Sequence, residues 1–164
     1  MTKQIILLIG IPGSGKTTIA QKLAKKGYKI LNADSIRLQL YGDEAIQGDA
    51  KEVFKLFFEQ LDNALSQNLK IVIDNTNLNR RHRDPIINRA KQANYDDIQL
   101  WFFDIPLDIC LKRNQDRLRK VEEEIISNMY KEINNNGKPS SLEGKVTLLR
   151  LNHDKTDYLF IPQR

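Results

Sequence analysis

The stretch Gly10-Ile11-Pro12-Gly13-Ser14-Gly15-Lys16-Thr17 restricts what this chain can fold into more than any other part of it. A glycine, four free positions, then glycine, lysine and a hydroxyl residue is the spacing of a loop that wraps the phosphates of a nucleoside triphosphate. Backbone N–H groups that must all turn onto phosphate oxygens tolerate neither blocking side chains nor resistance to positive φ, which accounts for Gly10, Gly13 and Gly15. Lys16 then supplies a point charge for the β- and γ-phosphates, and Thr17 a hydroxyl for Mg2+. The helix starting near Gly15 adds the positive end of its dipole. Pro12, Ser14 and Thr18 complete the set expected around the nucleotide. The flanks have the required order: Ile5 to Ile9 is a short apolar run suited to a central parallel strand, and Thr17 to Lys26 carries Ile19, Ala20 and Leu23 at helical spacing.

With 164 residues, 40% of them hydrophobic and 29% charged, the chain suits one domain, residues 1–164, with its own core. A net charge of +5 and a pI near 9.3 favour an anionic partner such as nucleotide, nucleic acid or another phosphorylated substrate. The single cysteine, Cys110, excludes an internal disulfide and fits a reducing cytoplasm. The apolar run after Met1-Thr2-Lys3-Gln4 is too short for a signal peptide core and far too short to span a bilayer, so a cytoplasmic protein without a membrane partner is expected. Nothing in the composition sets an oligomeric state.

Lys25-Lys26-Gly27 is a favourable helix stop, and Tyr28 to Asn32 reads as a second strand. Its end delivers Asn32-Ala33-Asp34-Ser35-Ile36-Arg37 to the sheet edge where ligands of open α/β sheets bind. A helix beginning at Asp34 brings Arg37 onto its face three residues later. Asp34 has two readings, an N-cap or a carboxylate placed to accept a proton from a substrate hydroxyl, and its context favours the base. After a polar, glycine-containing loop from Tyr41 to Gly48, the spacing predicts a long helix from Asp49 to Asn68. Val53, Phe54, Leu56, Phe57, Leu61, Ala64 and Leu65 form its apolar stripe, with the aromatics expected in the core. Lys70 to Asp74 is a buried strand ending in an acid, the form of a Walker B segment. Asp74 should stand beside the phosphate loop, holding Mg2+ through water or orienting Arg37; an ordinary strand-end carboxylate is the plainer alternative.

Arg80-Arg81-His82-Arg83 leads into a helix reaching about Ala93, with Pro85 in its first turn or at a kink. The basic run reads more simply as a solvated face than as a polymer contact. His82 and His153 are isolated and suggest neither metal nor triad. Ile98 to Asp104 predicts another strand, with Trp101 in the core. Pro106 opens a helix whose apolar face is Leu107, Ile109, Cys110 and Leu111, so Cys110 packs rather than reacts. That helix turns basic through Lys112, Arg113, Arg117, Arg119 and Lys120, and Arg113 and Arg117, four apart, should point the same way toward phosphate. Residues 112–130 are therefore a candidate lid that closes arginine over the transferring group. A helix from Val121 to Ile133, a breaker from Asn134 to Ser141 and a strand or hairpin over about 145–162 follow.

Several motifs in one chain carry a family resemblance: Gly10-x4-Gly15-Lys16-Thr17, Asp34-x2-Arg37, Ile73-Asp74-Asn75-Thr76-Asn77-Leu78-Asn79, Phe103-Asp104-Ile105-Pro106 with Lys112-Arg113-Asn114, and Arg113-x3-Arg117. From the first strand to about Tyr130 the chain resembles the kinase domain of phage-type polynucleotide 5′-hydroxyl kinases. The resemblance implies a three-layer α/β/α P-loop NTPase fold, with a central, mainly parallel sheet of about five strands and an arginine-bearing helical lid. It also implies transfer of the γ-phosphate of ATP, with Mg2+, to the 5′-hydroxyl end of DNA or RNA, in the host cytoplasm if the chain is phage-encoded. In that family's terms Lys16 and Thr17 bind phosphate and metal, and Asp34 activates the hydroxyl. Arg37 contacts the acceptor's phosphate, Arg117 stabilises the transferring phosphates with Arg113 beside it, and Asp74 supports the site with Asn75 and Thr76 next to the acceptor. Ala33 departs from the polar residue often found beside the acid, and residues from Ser140 onward have no counterpart. No Asp-x-Asp phosphatase motif preceded by a strand occurs, so kinase chemistry alone is expected. The alternatives are the same fold acting on another hydroxyl, of a small metabolite, an aminoacyl-tRNA or an antibiotic, and a nucleotide-dependent binding module.

Overall fold

The apolar run near the N-terminus becomes β1, Gln4–Ile9, in which Ile5 through Ile9 are all buried. A computed structural model describes residues 2–164. A strand covered on both faces has no side for polar residues, which is why β1 and β3 (Ile71–Asp74) read as continuous apolar runs. β1 pairs in parallel with β3 on one side and with β4 (Asp97–Phe103) on the other. β2 (Lys29–Leu31) joins β3 and β5 (Lys145–Leu151) joins β4, also in parallel. β6 (Tyr158–Pro162) returns antiparallel on β5. The order is β2-β3-β1-β4-β5-β6, six strands where about five are expected, because both C-terminal strands enter the sheet. In register, Leu8 lies beside Asp74, Ile9 beside Phe102 and Leu31 beside Ile73, so the parallel strands end at one common edge.

Helices α1 (Lys16–Ala24), α2 (Ala33–Tyr41), α3 (Ala50–Ser66), α4 (Arg80–Gln92), α5 (Leu107–Gln115) and α6 (Glu123–Glu132) complete an α/β/α arrangement. Their apolar faces and the sheet share one core, in which each fully covered Val, Leu or Ile is worth roughly 1.5–3 kcal/mol. Side-chain caps set the helix starts. Asn32 accepts from the Ser35 N–H at 2.7 Å, Asp49 from Lys51 at 3.0 Å and Asn79 from His82 at 3.1 Å. The N-cap of α2 is thus Asn32, which leaves the Asp34 carboxylate free of that task.

Several expectations change. Phe57 is fully buried in α3, but Phe54 lies at the rim of the stripe, 40% exposed and edge-on to Phe57. Trp101 is only half-buried, against Phe160 of the edge strand. Pro85 sits inside α4 rather than in its first turn. Ile133–Gly137 is a π-helical turn where a plain breaker is expected from Asn134. α5 stops at Gln115, so Arg113 and Arg117 are not four apart on one helix; Arg117 lies in the loop beyond it. The cause is Asn114, whose side chain donates to the Val121 carbonyl at 2.7 Å and accepts from the Val121 N–H at 3.0 Å, closing the loop 116–120.

The largest departure is Arg83. Within the basic run of α4 it is 1% exposed and shares the buried face with Ile86, Ile87 and Ala90. Its guanidinium meets both carboxylate oxygens of Glu143, at 2.7 and 3.3 Å, and donates to the carbonyls of Asn77 and Gly137 at 2.8 Å each. A cation removed from water must find acceptors and a counter-charge, and this one has four hydrogen bonds, two of them to Glu143. Arg80, Arg81 and His82 are at the surface.

Candidate active site

At the common strand edge the chain leaves β1 and turns through the phosphate loop into α1. Gly13 and Gly15 have φ of 85° and 104°. A Cβ on Gly13 would come 2.5 Å from the Cys110 carbonyl oxygen, and one on Gly15 only 1.8 Å from the Tyr158 hydroxyl. Glycine is required there by backbone angle and by close approach together. Lys16 is 8% exposed and donates to the Ile11 carbonyl at 3.0 Å. Burial lowers its pKa to about 8; the negative charges of Asp74 and Asp34 oppose that shift, and Arg117 adds to it. Pro12 is half-buried and Thr18 exposed.

Thr17, the first residue after this lysine, donates its hydroxyl proton to Asp74 Oδ2 at 3.0 Å. Burial raises the Asp74 pKa, against the pull of Lys16 and the Thr17 hydrogen bond. Of the two uses expected for Asp74, the structure brings it to Thr17; Arg37 pairs instead with Asp34, Nη1 to Oδ1, at 2.9 Å. Two oxygen donors beside a phosphate loop fit a magnesium ion, which takes one or two protein oxygens and completes its shell with substrate phosphate and water. Among the described residues no group of three or more His, Cys, Asp or Glu is placed to hold a metal.

Asp34 lies in the first turn of α2, its side chain half-exposed, and Arg37 Nε is buried with no hydrogen-bond partner among the described residues. The segment after β3 sets the spacing of these parts. Asn75 Oδ1 accepts from the Ala33 N–H at 2.9 Å, the Thr76 carbonyl accepts from the Gly10 N–H at 3.1 Å, and Asn77 Nδ2 donates to the Leu8 carbonyl at 2.8 Å. Asn75 and Thr76, expected next to the acceptor, thus make their contacts with the backbone of α2 and of the phosphate loop.

Arg113 donates from Nη1 to the Gly13 carbonyl at 3.2 Å and to the Tyr158 hydroxyl at 2.9 Å; Tyr158 in turn donates to the Ser14 carbonyl at 2.8 Å. Arg113 therefore braces the loop, while the charge of Arg117 reaches Lys16 and Asp74. Cys110, its thiol pushed up to about 11 chiefly by burial, is packing. Tyr158, Arg119 and the Arg83–Glu143 pair carry no motif. Only Arg83 left a signal: with Ile86, Ile87 and Ala90 it follows the spacing of one helix face. Among the described residues no helix is long and apolar enough to cross a membrane.

The chain is similar to several known proteins. Residues 5–134 match the family model described as an AAA domain. The chain is 30% identical over 141 residues to the L-seryl-tRNA(Sec) kinase of Methanococcus maripaludis, covering 81% of this chain and 53% of that protein. It is 32% identical over 146 residues to a protein of Autographa californica nuclear polyhedrosis virus named as a bifunctional polynucleotide kinase/RNA ligase, covering 79% of this chain and 21% of that one. A chain of the solved Pnkp1/Rnl/Hen1 RNA repair complex superposes on 98% of this chain and 48% of its own length, with a TM-score of 0.72 at 20% identity, a likeness of fold. The chain thus spans well under two thirds of the length of each of these relatives. Since the family match runs from β1 through the phosphate loop, Asp34 and Asp74 to the end of α6, the chain belongs to the AAA domain family, with the fold of a P-loop kinase.

Proposed function

We propose that this chain transfers the γ-phosphate of ATP, with Mg2+, to the 5′-hydroxyl end of a polynucleotide, with Asp34 as the general base. The observation that carries the reading is geometric: at one sheet edge the phosphate loop with buried Lys16 and the Thr17 hydroxyl on Asp74 Oδ2 at 3.0 Å faces Asp34 at the start of α2, which the loop 116–120 reaches through Arg119. A carboxylate beside a phosphate cradle, with cations of a neighbouring loop at hand, is the arrangement that hydroxyl phosphorylation needs. Lys16 and the loop N–H groups hold the donor phosphates, and Arg117 offsets the negative charge that spreads over the transferring group. Thr17 and Asp74 would hold the metal, which when bound neutralises phosphate charge. Asp34 takes the hydroxyl proton as the new O–P bond forms and the bond to the β-phosphate oxygen breaks, releasing ADP.

The unpartnered Nε of Arg37, next to Asp34, suits a phosphate one nucleotide from the reacting hydroxyl. Similarity to the baculovirus protein and to the RNA repair complex supports nucleic acid as the acceptor. A cytoplasmic setting goes with this reading, Cys110 being a lone buried thiol.

The test is transfer of labelled γ-phosphate from Mg·ATP to a 5′-hydroxyl oligonucleotide and to the same oligonucleotide already 5′-phosphorylated, with Asp34→Asn as control. Labelling is expected only with the free hydroxyl and only with Asp34 present. A second reading, a hydroxyl on an aminoacylated RNA, is favoured by the identity to the seryl-tRNA kinase across most of this chain. Competition between seryl-tRNA and the oligonucleotide for the labelled phosphate separates the two.

A further inference from the structure

Arg119 stands outside every motif used so far. Two residues past Arg117 in the loop 116–120, its Nη1 lies 3.3 Å from Glu44 Oε1 and 3.6 Å from Asp34 Oδ2. One short loop therefore reaches both halves of the site. Arg117 acts on Lys16 and Asp74 on the donor side, and Arg119 meets Asp34 on the acceptor side. The other oxygen of Asp34 is paired with Arg37. Both Asp34 oxygens are thus engaged by guanidinium groups, whereas a general base needs one of them to receive a proton.

The Arg119 contacts are made to be exchanged. Its side chain is 31% exposed, Asp34 is 50% and Glu44 47%, and ion pairs so open to water are weak and short-lived. A phosphodiester accepts the guanidinium fork through two parallel hydrogen bonds and competes well with two carboxylates met at 3.3 and 3.6 Å. Glu44, in the segment between α2 and α3, then has the part of a resting partner.

We propose that Arg119 is an acceptor-binding residue: a backbone phosphate of the incoming strand draws it from Asp34 and Glu44, and that exchange frees the Asp34 oxygen that takes the hydroxyl proton. The inference rests on the polynucleotide kinase reading and deepens it. The acceptor becomes its own trigger, since a hydroxyl compound with no phosphate near the hydroxyl has nothing with which to displace Arg119. The substrate class is a hydroxyl flanked by phosphodiester.

The experiment is equilibrium binding of a single-stranded 5′-hydroxyl oligonucleotide across a series of KCl concentrations, beside the labelling assay. Arg119→Ala is expected to weaken binding and to reduce the slope of log affinity against log salt by about 0.7, the value for one phosphate contact on a single strand. Arg119→Lys, which keeps the charge, should restore the slope, and Glu44→Gln should tighten binding. A purely structural role for Arg119 would change affinity without changing the slope. An unchanged slope in Arg119→Ala, or tighter binding, overturns the proposal while labelling by the unaltered chain leaves the kinase reading standing. If the unaltered chain neither binds nor labels the oligonucleotide, both fall together.

Discussion

Lys16 is a cation held partly against its own desolvation, and that has a measurable signature. Its pKa in the free protein is about 8, so it is protonated at neutral pH and loses its charge as pH rises through that value. Bound phosphate favours the charged form and raises the pKa, so nucleotide binding above about pH 8 must take up a proton, whereas near pH 7 it takes up almost none. Affinity for ATP should then fall by up to about tenfold per pH unit above that point, since one proton is linked to binding. Calorimetry at pH 7 and pH 9 in buffers of different ionisation enthalpy measures the uptake; an affinity flat across that range would take Lys16 out of phosphate binding. Asp34 separates binding from chemistry. Asp34→Asn should keep the ATP dissociation constant and lower turnover by about 10²–10⁴, the usual share of a positioned base.

The segment from α5 through the loop 116–120 shows the same separation for an element. α5 ends because Asn114 bonds both backbone groups of Val121, not because of any breaker, and nothing in Lys112 to Lys120 announces a stop. That is why the spacing of Arg113 and Arg117 suggested a shared helix face. A tertiary side-chain bond, unreadable from periodicity, turned one arginine into a brace for Gly13 and left the other exposed in the loop. Arg117→Ala should therefore cost turnover about 10³–10⁵, as other phosphoryl-transfer arginines do, with the melting temperature unmoved because the side chain is exposed. Asn114→Ala should lower both, since its loss opens the loop and leaves two part-buried backbone groups without their partner; at about 1 kcal/mol per hydrogen bond the melting temperature falls by several degrees. The phosphate loop, β1 and β3 were legible for the opposite reason: their chemistry is local, a glycine pattern between a buried strand and a helix.

Across the whole molecule, the parts that hold the site are bound by contacts distant in sequence. Arg83 and Glu143 are 60 positions apart, and their pair ties α4 to the π-helical turn and to the Asn77 carbonyl behind the site. Arg83 left only its spacing with Ile86, Ile87 and Ala90 inside a basic run, and Glu143, past the end of the family match, left no signal. Glu143→Ala leaves a buried guanidinium short of its counter-charge and should cost about 3–5 kcal/mol in urea unfolding, whereas Arg83→Met with Glu143→Leu should recover most of the loss. If the single change proves neutral, the pair is not what anchors that corner. The Tyr158 hydroxyl on the Ser14 carbonyl spans 144 positions. At about 5–20 residues per second, a ribosome delivers Tyr158 roughly 7–30 s after the loop it must brace. During synthesis the glycine-rich loop is exposed long before its support exists, and a fully braced loop for nucleotide capture has to await the arrival of β6.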